Sequence, residues 1–219
     1  MGFRFKSSSC VVIGTFNIYI IQPKLLFEMG LIEKDCKVKL QSDFSQPGIR
    51  FEMSHLTWHV RPERVSVETT DPDVDCGKPL AELLEKLVWT PTMAVGVNTV
   101  FYGDSETEKF LPSNFRLPTV SGFEPAQRTV HVSTHRDGRT LNLQIAHNPE
   151  TDGPSGIELN LNVHTGLTIK GQQKTQQEVN ELAQLACQSF LQQRQNVVVF
   201  ASTLLQCEDF SYDIINSVE

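Results

Sequence analysis

The sequence predicts an α+β fold, a mainly antiparallel sheet built from β-hairpins and packed by a middle helix and a long C-terminal helix. The stretch "HRDGRT" places Asp137-Gly138 in a two-residue turn between alternating strands, which is a strong hairpin signal. The stretch "PLAELLEKLVW", residues 79–89, has leucines at helical spacing, and the apolar residues after Thr175 keep that spacing to about Gln206. We therefore expect the two helices to cover one face of the sheet and the other face to be partly wet.

The first half of the chain predicts strands and two helices. The apolar run from Cys10 to Ile21 predicts a buried strand, and Pro23 at a first helical position predicts a short helix after it. Alternation and turn residues predict further strands at "VKLQSDF", "IRFEMSHLTWHV", "RVSVETT" and "MAVGVNTVFYG". With Pro62-Glu63 as a hairpin tip, the facing pairs are Val60 with Val65 and Trp58 with Val67.

The second half of the chain predicts a hairpin of fixed register, a strand and a helix. The facing pairs around Asp137-Gly138 are Arg136 and Arg139, His135 and Thr140, Thr134 and Leu141, Val132 and Leu143, and Val130 and Ile145. The stretch "IELNLNVH" adds a strand with its apolar residues inward, and Thr175 with Glu178 forms a capping box that opens the last helix. A helix of ~31 residues would be about 46 Å long. Because that exceeds what a small sheet needs, we expect part of its apolar stripe to meet another chain.

The two halves share a pattern of a hairpin followed by a helix, with tips "RPER" and "RDGR". Ser105 with Glu108 predicts a capping box for one helical turn ahead of a Pro-rich connection. We expect one α+β domain over residues 1–219. The alternative is two similar halves, 1–111 and 126–219, joined by the connection 112–125.

Charge and cysteine content restrict the partners and the compartment. The formal net charge of −7 opposes broad adhesion to nucleic acid or anionic lipid, which are themselves polyanions. Five cysteines, odd in number and never in a CxxC pair, indicate reduced thiols and a cytoplasmic protein. The N-terminal apolar run has no small-x-small cleavage site and is too short to span a bilayer, so we expect no membrane anchor. Secretion is the alternative.

Two pairs of histidines four residues apart raise the question of a metal or acid–base site: His55 and His59 in "HLTWH", and His131 and His135 in "HVSTH". On a strand this spacing separates the side chains by about 13 Å, too far for one pair to bind a metal by itself. The predicted hairpin registers place all four on the face opposite the apolar residues. We therefore expect all four histidines to face solvent. The two pairs could share a metal only if the two hairpins lie side by side.

An acidic loop and a set of arginines are further candidates. Asp71, Asp73, Asp75 and Glu82 match a calcium loop in part, but Cys76 stands where the sharp turn needs glycine. The alternative is an acidic lead-in to the positive N-terminal end of the next helix, which we prefer. The arginines at the two hairpin tips could form an anion-binding patch, or only keep the turns soluble. They are Arg61, Arg64, Arg136 and Arg139.

Motifs for catalysis are missing from the sequence. It contains no nucleophile elbow, no phosphate-binding GxxxxGK[ST] loop and no GxGxxG fingerprint. We therefore assign no catalytic residue and expect no cofactor. Three stretches, "VVIGTFNIYIIQPKLLFEMGLI", "VSVETTD" and "TPTMAVGVN", resemble segments of bacterial proteins of unassigned function, and the resemblance implies a bacterial origin.

The sequence as a whole favours a non-enzymatic interaction or adaptor protein. Such a protein would bind a protein partner, associate with itself, or serve as a subunit of a larger bacterial assembly. The alternative is a binding protein of helix-grip type, in which a curved sheet and a long helix enclose a small apolar or lipid-like ligand. A third, weaker option is a metal-dependent enzyme that uses the hairpin histidines or the acidic loop. Large inward side chains that fill the sheet would favour the first hypothesis.

Overall fold

The protein folds around one large, almost entirely antiparallel sheet, and the predicted α+β fold is confirmed. The computed structural model describes residues 2–41, 47–103, 107, 111, 128–136, 138–147, 156–167, 174–207 and 210–212. The ten strands among these residues are β1 (Phe3–Gly14), β2 (Lys37–Gln41), β3 (Gly48–Glu52), β4 (Thr57–Arg61), β5 (Arg64–Thr69), β6 (Thr92–Gly103), β7 (Arg128–Arg136), β8 (Arg139–His147), β9 (Ile157–Gly166) and β10 (Phe210–Ser211). The helices are α1 (Pro23–Glu28), α2 (Gly77–Lys86), α3 (Gln176–Gln188) and α4 (Phe190–Leu205).

The strand order is β2-β3-β4-β5-β1-β6-β9-β8-β7, with β10 paired to the start of β1 in parallel. The two central strands, β1 and β6, have 12 residues each and pair along their whole length. Each is followed in the chain by strands that form a meander and end beside it, β5 beside β1 and β9 beside β6. A helix comes next in both cases. The same connectivity thus occurs twice within one sheet, in a β1 unit, residues 3–86, and a β6 unit, residues 92–188.

The two faces of the sheet differ in cover and composition. Helices α2, α3 and α4 contact β1, β5, β6 and β9, and the side chains on this face are apolar and buried. Alternate residues of the same strands form the opposite face, which is mostly polar and half-exposed. We call these the helix face and the open face. They match the expected division into a covered and a partly wet face.

Both predicted hairpins have the predicted registers. All five pairs expected around Asp137-Gly138 are present, and Val60 pairs with Val65 and Trp58 with Val67. Helix α1 begins at Pro23 as expected. The expected capping box is also present, because the Glu178 N–H donates to Thr175 Oγ1 (3.2 Å) and the Thr175 N–H donates to Glu178 Oε2 (2.7 Å).

The first strand was predicted at the wrong place, since β1 starts at Phe3 and ends at Gly14 rather than spanning Cys10 to Ile21. Its register shifts between Phe5 and Ser7, and this β-bulge breaks the alternation that would have revealed the early start. The stretch predicted as one strand, "IRFEMSHLTWHV", is two strands, because the Met53 N–H donates to the Leu56 carbonyl and closes a turn.

Both longer helices also differ from their predictions. Helix α2 spans Gly77–Lys86 rather than 79–89, and the single long C-terminal helix is interrupted at Ser189. The Ser189 hydroxyl and the Gln193 side-chain amide both donate to the Ala186 carbonyl, at 3.0 and 2.8 Å, and such side-chain bonds compete with the helical ladder. Helix α4 has only 16 residues, so helix length no longer supports contact with another chain.

Several parts of the prediction lie outside the described residues. They are Ser105 and Glu108 of the capping box, the whole connection 112–125, residues 42–44 of the predicted strand "VKLQSDF", Asp137 and the side chain of Arg136. None of the described helices is both long and apolar enough to cross a bilayer.

Candidate functional site

The histidines of the first pair have carboxylate neighbours. His59 lies on β4 opposite Ser66, with its Nε2 3.7 Å from Glu68 Oε2. A hydrogen bond from His59, partly opposed by burial, lowers the pKa of the Glu68 carboxyl. His55 lies in the turn between β3 and β4, with Nδ1 3.6 Å from Asp71 Oδ2. Each histidine therefore lies beside a different carboxylate.

The second pair of histidines lies on β7, far from the first. His131 is opposite Gln144, and His135 is opposite Thr140, whose hydroxyl lies 3.0 Å from His135 Nδ1. The hairpins are not side by side, because β5, β1, β6 and β9 lie between β4 and β8, a separation of about 24 Å. The two histidine pairs cannot share one ion. Within the described ranges, no three His, Cys, Asp or Glu side chains lie close enough to hold a metal ion.

The acidic loop binds backbone groups at the start of α2. The carboxylate of Asp75 accepts from the Gly77 N–H (2.8 Å) and the Lys78 N–H (3.2 Å), where the helix dipole favours negative charge. Asp71 Oδ1 accepts from the Asp73 N–H at 2.9 Å. Glu82 lines a cleft between α2 and α3 together with Asp75. The backbone contacts correspond to the helix lead-in preferred from the sequence.

The arginines occur as two separate pairs. Arg61 pairs with Arg64 across the β4–β5 turn, and Arg136 pairs with Arg139 across the β7–β8 turn. Both turns lie at the same end of the sheet, since β4 and β7 run in the same direction. Four strand steps separate β5 from β8, which is about 19 Å. One small anion therefore cannot contact both pairs.

A groove of about 600 Å³ lies between α4 and the strands β7, β8 and β9. Its apolar lining comes from Leu141 and Val163 on the sheet and from Val199 and Phe200 on α4. Val199 is 58% exposed. The run "NVVVF" indicates this surface, because consecutive apolar residues in a helix cannot all face the core. We call this cleft the α4 groove.

The polar groups of the α4 groove are cationic or neutral. Among the described residues that line it, Arg139 and His135 are the titratable ones and none is acidic. Gln193 is 1% exposed, and although its amide nitrogen donates to Ala186 and Ser189, its Oε1 has no partner among the described residues. The buried hydroxyl of Thr165, paired with Arg139 across β8 and β9, is likewise without a described partner. Of all these residues, the sequence indicated only Arg139 and His135 as candidates.

The two edges of the sheet are β2 and β7. Strand β2 has five residues, "KVKLQ", and its Lys39 forms an ion pair with Glu52 on β3 at 2.9 Å. Strand β7 has nine residues, "RTVHVSTHR", and no Lys, Asp or Glu. Within the described part of the chain, no strand pairs with its outer side. Short, lysine-bearing edges oppose strand addition, whereas long edges without such charges allow it.

A chain of hydrogen bonds crosses five strands on the open face. Each Asn side chain donates to the next strand, Asn142 to Asn162 (2.9 Å), Asn162 to Asn98 (2.7 Å) and Asn98 to Ser9 (3.1 Å). Ser133 on β7 donates to Asn142 at 2.7 Å and completes the chain. This series of hydrogen bonds fixes the relative positions of the strands that line the α4 groove. We call the series the amide chain.

Three buried cysteines meet where α2 and α3 cross the sheet. The Sγ atoms of Cys10 and Cys187 are 3.9 Å apart, and Cys76 donates to the Ser8 carbonyl at 3.7 Å. The neighbouring Cys187 thiol and burial raise the pKa of Cys10, and burial raises the pKa of Cys76 to about 12. Neutral, inaccessible thiols do not act as nucleophiles.

Comparison with known proteins identifies no relative: no known family model matches the chain, and no curated protein is significantly similar to it. The functional proposals therefore rest on the geometry of the α4 groove and of the β7 edge.

Proposed function

We propose that the protein is a non-enzymatic interaction protein that associates with itself through the outer edge of β7. The observation that carries the proposal is the contrast between the two sheet edges: one is short and lysine-bearing, and the other is long and contains no Lys, Asp or Glu. As part of the same proposal, we place the protein in the bacterial cytoplasm, since all five cysteines are free thiols.

The composition of β7 suits strand addition. Between Arg128 and Arg136 the sequence "TVHVSTH" includes four β-branched residues, which favour extended backbone. In an antiparallel ladder every second residue directs its N–H and C=O away from its partner strand. About half of the nine residues of β7 therefore offer backbone groups at its outer edge, where no described strand pairs. A strand added there would satisfy these groups.

A second copy of this chain fits this edge. Antiparallel pairing of β7 with the same strand about a two-fold axis is isologous, so one edge supplies both sides of the interface. Such a register pairs even-numbered residues with even-numbered residues. Val130, Val132 and Thr134, which lie on the helix face, would then meet the same residues of the partner and continue that face across the interface.

The test is the oligomeric state of His131→Lys compared with the wild type. His131 is exposed at the middle of β7, so a lysine there should leave the fold intact and place two cations close together across the paired edges. The matched control is Val38→Lys, because Val38 is exposed on the other edge strand, β2.

Native mass spectrometry and light scattering should show a dimer for the wild type and for Val38→Lys, and a monomer for His131→Lys. A wild type that stays monomeric at tens of micromolar would remove the proposal. A His131→Lys variant that still dimerises would show that another surface is used, and would contradict it equally.

A further inference from the structure

The α4 groove has the size and lining of a small-molecule site. Its volume, about 600 Å³, lies within the usual range for ligand pockets. Leu141 and Val163 form an apolar floor and Phe200 an apolar wall, whereas Asn196 and Thr203 on α4 place polar groups beside them. Such a lining suits a molecule with an apolar body and one polar end.

The charged residue at one end of the groove determines which charge is favoured at the polar end of the ligand. Arg139 follows the β7–β8 turn, and no carboxylate among the described residues forms an ion pair with it. Three other described cations have partners: Lys39 and Arg50 pair with Glu52, and Arg194 donates to the Pro72 carbonyl. In a protein of net charge −7, a groove whose described lining has an arginine and no acid favours an anionic ligand.

One buried polar atom in the groove wall has no hydrogen-bond partner among the described residues. Buried hydrogen-bonding groups without partners are rare in folded proteins and require an explanation. Gln193, 1% exposed, contributes to the groove wall, and its Oε1 has no donor among the described residues. That amide oxygen can only accept a hydrogen bond, so it suits a donor group of a ligand and not its carboxylate.

We propose that the α4 groove binds a small amphipathic carboxylate, with its acid group against Arg139 and its apolar body along Leu141, Val163 and Phe200. The guanidinium group of arginine offers a fork of donors that suits a carboxylate. The site does not use the outer edge of β7, so it stands apart from the self-association proposed above.

The test uses decanoate below its micelle concentration as the probe, with titration calorimetry as the readout. Decylamine, the same chain with a cationic end, is the ligand control. Arg139→Gln removes the positive charge, and Arg64→Gln removes an exposed arginine at the other hairpin tip, about 19 Å away across the sheet. Asn196→Trp places a bulky side chain at an exposed groove position on α4.

We expect saturable decanoate binding that weakens about tenfold or more in Arg139→Gln, as for loss of a charge-assisted hydrogen bond. Arg64→Gln should bind decanoate like the wild type, and Asn196→Trp should bind it poorly. Equal affinity for decylamine and decanoate, or unchanged decanoate binding in Arg139→Gln, would overturn the proposal. Absence of saturable decanoate binding to a folded wild type would overturn it as well. The oligomeric state is measured separately, so neither binding of decanoate nor its absence affects the test of β7 pairing.

Discussion

The β1 unit and the β6 unit share one connectivity but differ in how completely they are covered. Strand β2 pairs with the outer edge of β3, whereas no described strand pairs with the outer edge of β7, the strand in the corresponding place. Phe51 on β3 and Val132 on β7 are helix-face residues of the corresponding strands. Phe51 is fully buried, and Val132 is only partly buried. Among the described residues, the β1 unit is therefore covered at the outer edge of β3, and the β6 unit is not covered at the outer edge of β7.

The open face shows the same contrast. In the β1 unit it carries the charged pair of Lys39 with Glu52 and places His59 beside Glu68. In the β6 unit the uncharged amide chain occupies the middle of the strands, and the charged pair of Lys6 on β1 with Glu158 on β9 lies across the two units. Charge protects a sheet against unwanted pairing, and neutral polar groups protect it less. Both proposed binding surfaces involve strands of the β6 unit, so the two proposals assign the interactions to one copy of the repeated arrangement.

The largest expected effect concerns these two helix-face residues. Phe51→Ala should lower the free energy of unfolding by about 3–5 kcal/mol, because it leaves a cavity in a closed core. Val132→Ala should cost only about 1 kcal/mol, because the valine is already partly in contact with solvent. Urea unfolding measures both. Similar losses would mean that the two units are packed alike, and would break the comparison.

The amide chain should contribute an intermediate effect. Asn162→Ala removes one hydrogen bond to Asn98 and one from Asn142, so we expect a loss of about 1–2 kcal/mol. Asn160→Ala is the matched control, since Asn160 lies on the same strand and face and donates to the Glu158 carboxylate of its own strand. Its loss should be about 0.5 kcal/mol, as for exposed pairs. Equal losses in the two variants would show that the chain adds nothing to the stability of the sheet.

Local features of this fold follow from the sequence, whereas arrangements between distant segments do not. Asp137-Gly138 dictates a two-residue turn, and the turn alone fixes every pair of β7 and β8. The capping box at Thr175 is equally local. In contrast, the break at Ser189 depends on side chains that reach back to the Ala186 carbonyl, and apolar spacing continues through it unchanged. Apolar periodicity therefore predicts which residues are helical, but not that they form two helices separated at Ser189.

The candidate sites depend on the order of the strands in the sheet, and the apolar periodicity of a sequence does not predict that order. The sequence predicted His55 and His59 on one strand, but His55 lies in a turn that the pattern "IRFEMSHLTWHV" does not mark with Gly or Pro. The distance between the hairpins follows only from the insertion of β5, β1, β6 and β9 between them. Gln193 is polar in sequence and gives no indication that it is buried beside a groove. Only tertiary packing places it in the same groove as Arg139.

The smallest expected effect is the pH dependence of two carboxylates on the open face, one in each unit. Burial alone would raise the pKa of Glu158, but hydrogen bonds from Lys6, at 2.9 Å, and from Asn160 lower it, as the bond from His59 does for Glu68. Each carboxyl therefore contributes stability that is complete above the unfolded-state pKa of about 4.3 and is lost as the pH falls through its lower folded-state value.

Both carboxylates are half-exposed, so each should contribute about 0.5 kcal/mol or less. Urea unfolding from about pH 3 to about pH 7, a range that includes the ordinary pKa of a carboxyl, should show that Glu158→Gln and Glu68→Gln each flatten part of the acid-induced fall. Lys6→Gln should lower stability at neutral pH much as Glu158→Gln does, since both break the same pair. If neither Glu variant changes the slope, the charged pairs contribute nothing to stability. Since one of these carboxylates lies in each unit, the difference between the units rests on packing and edge pairing in either case.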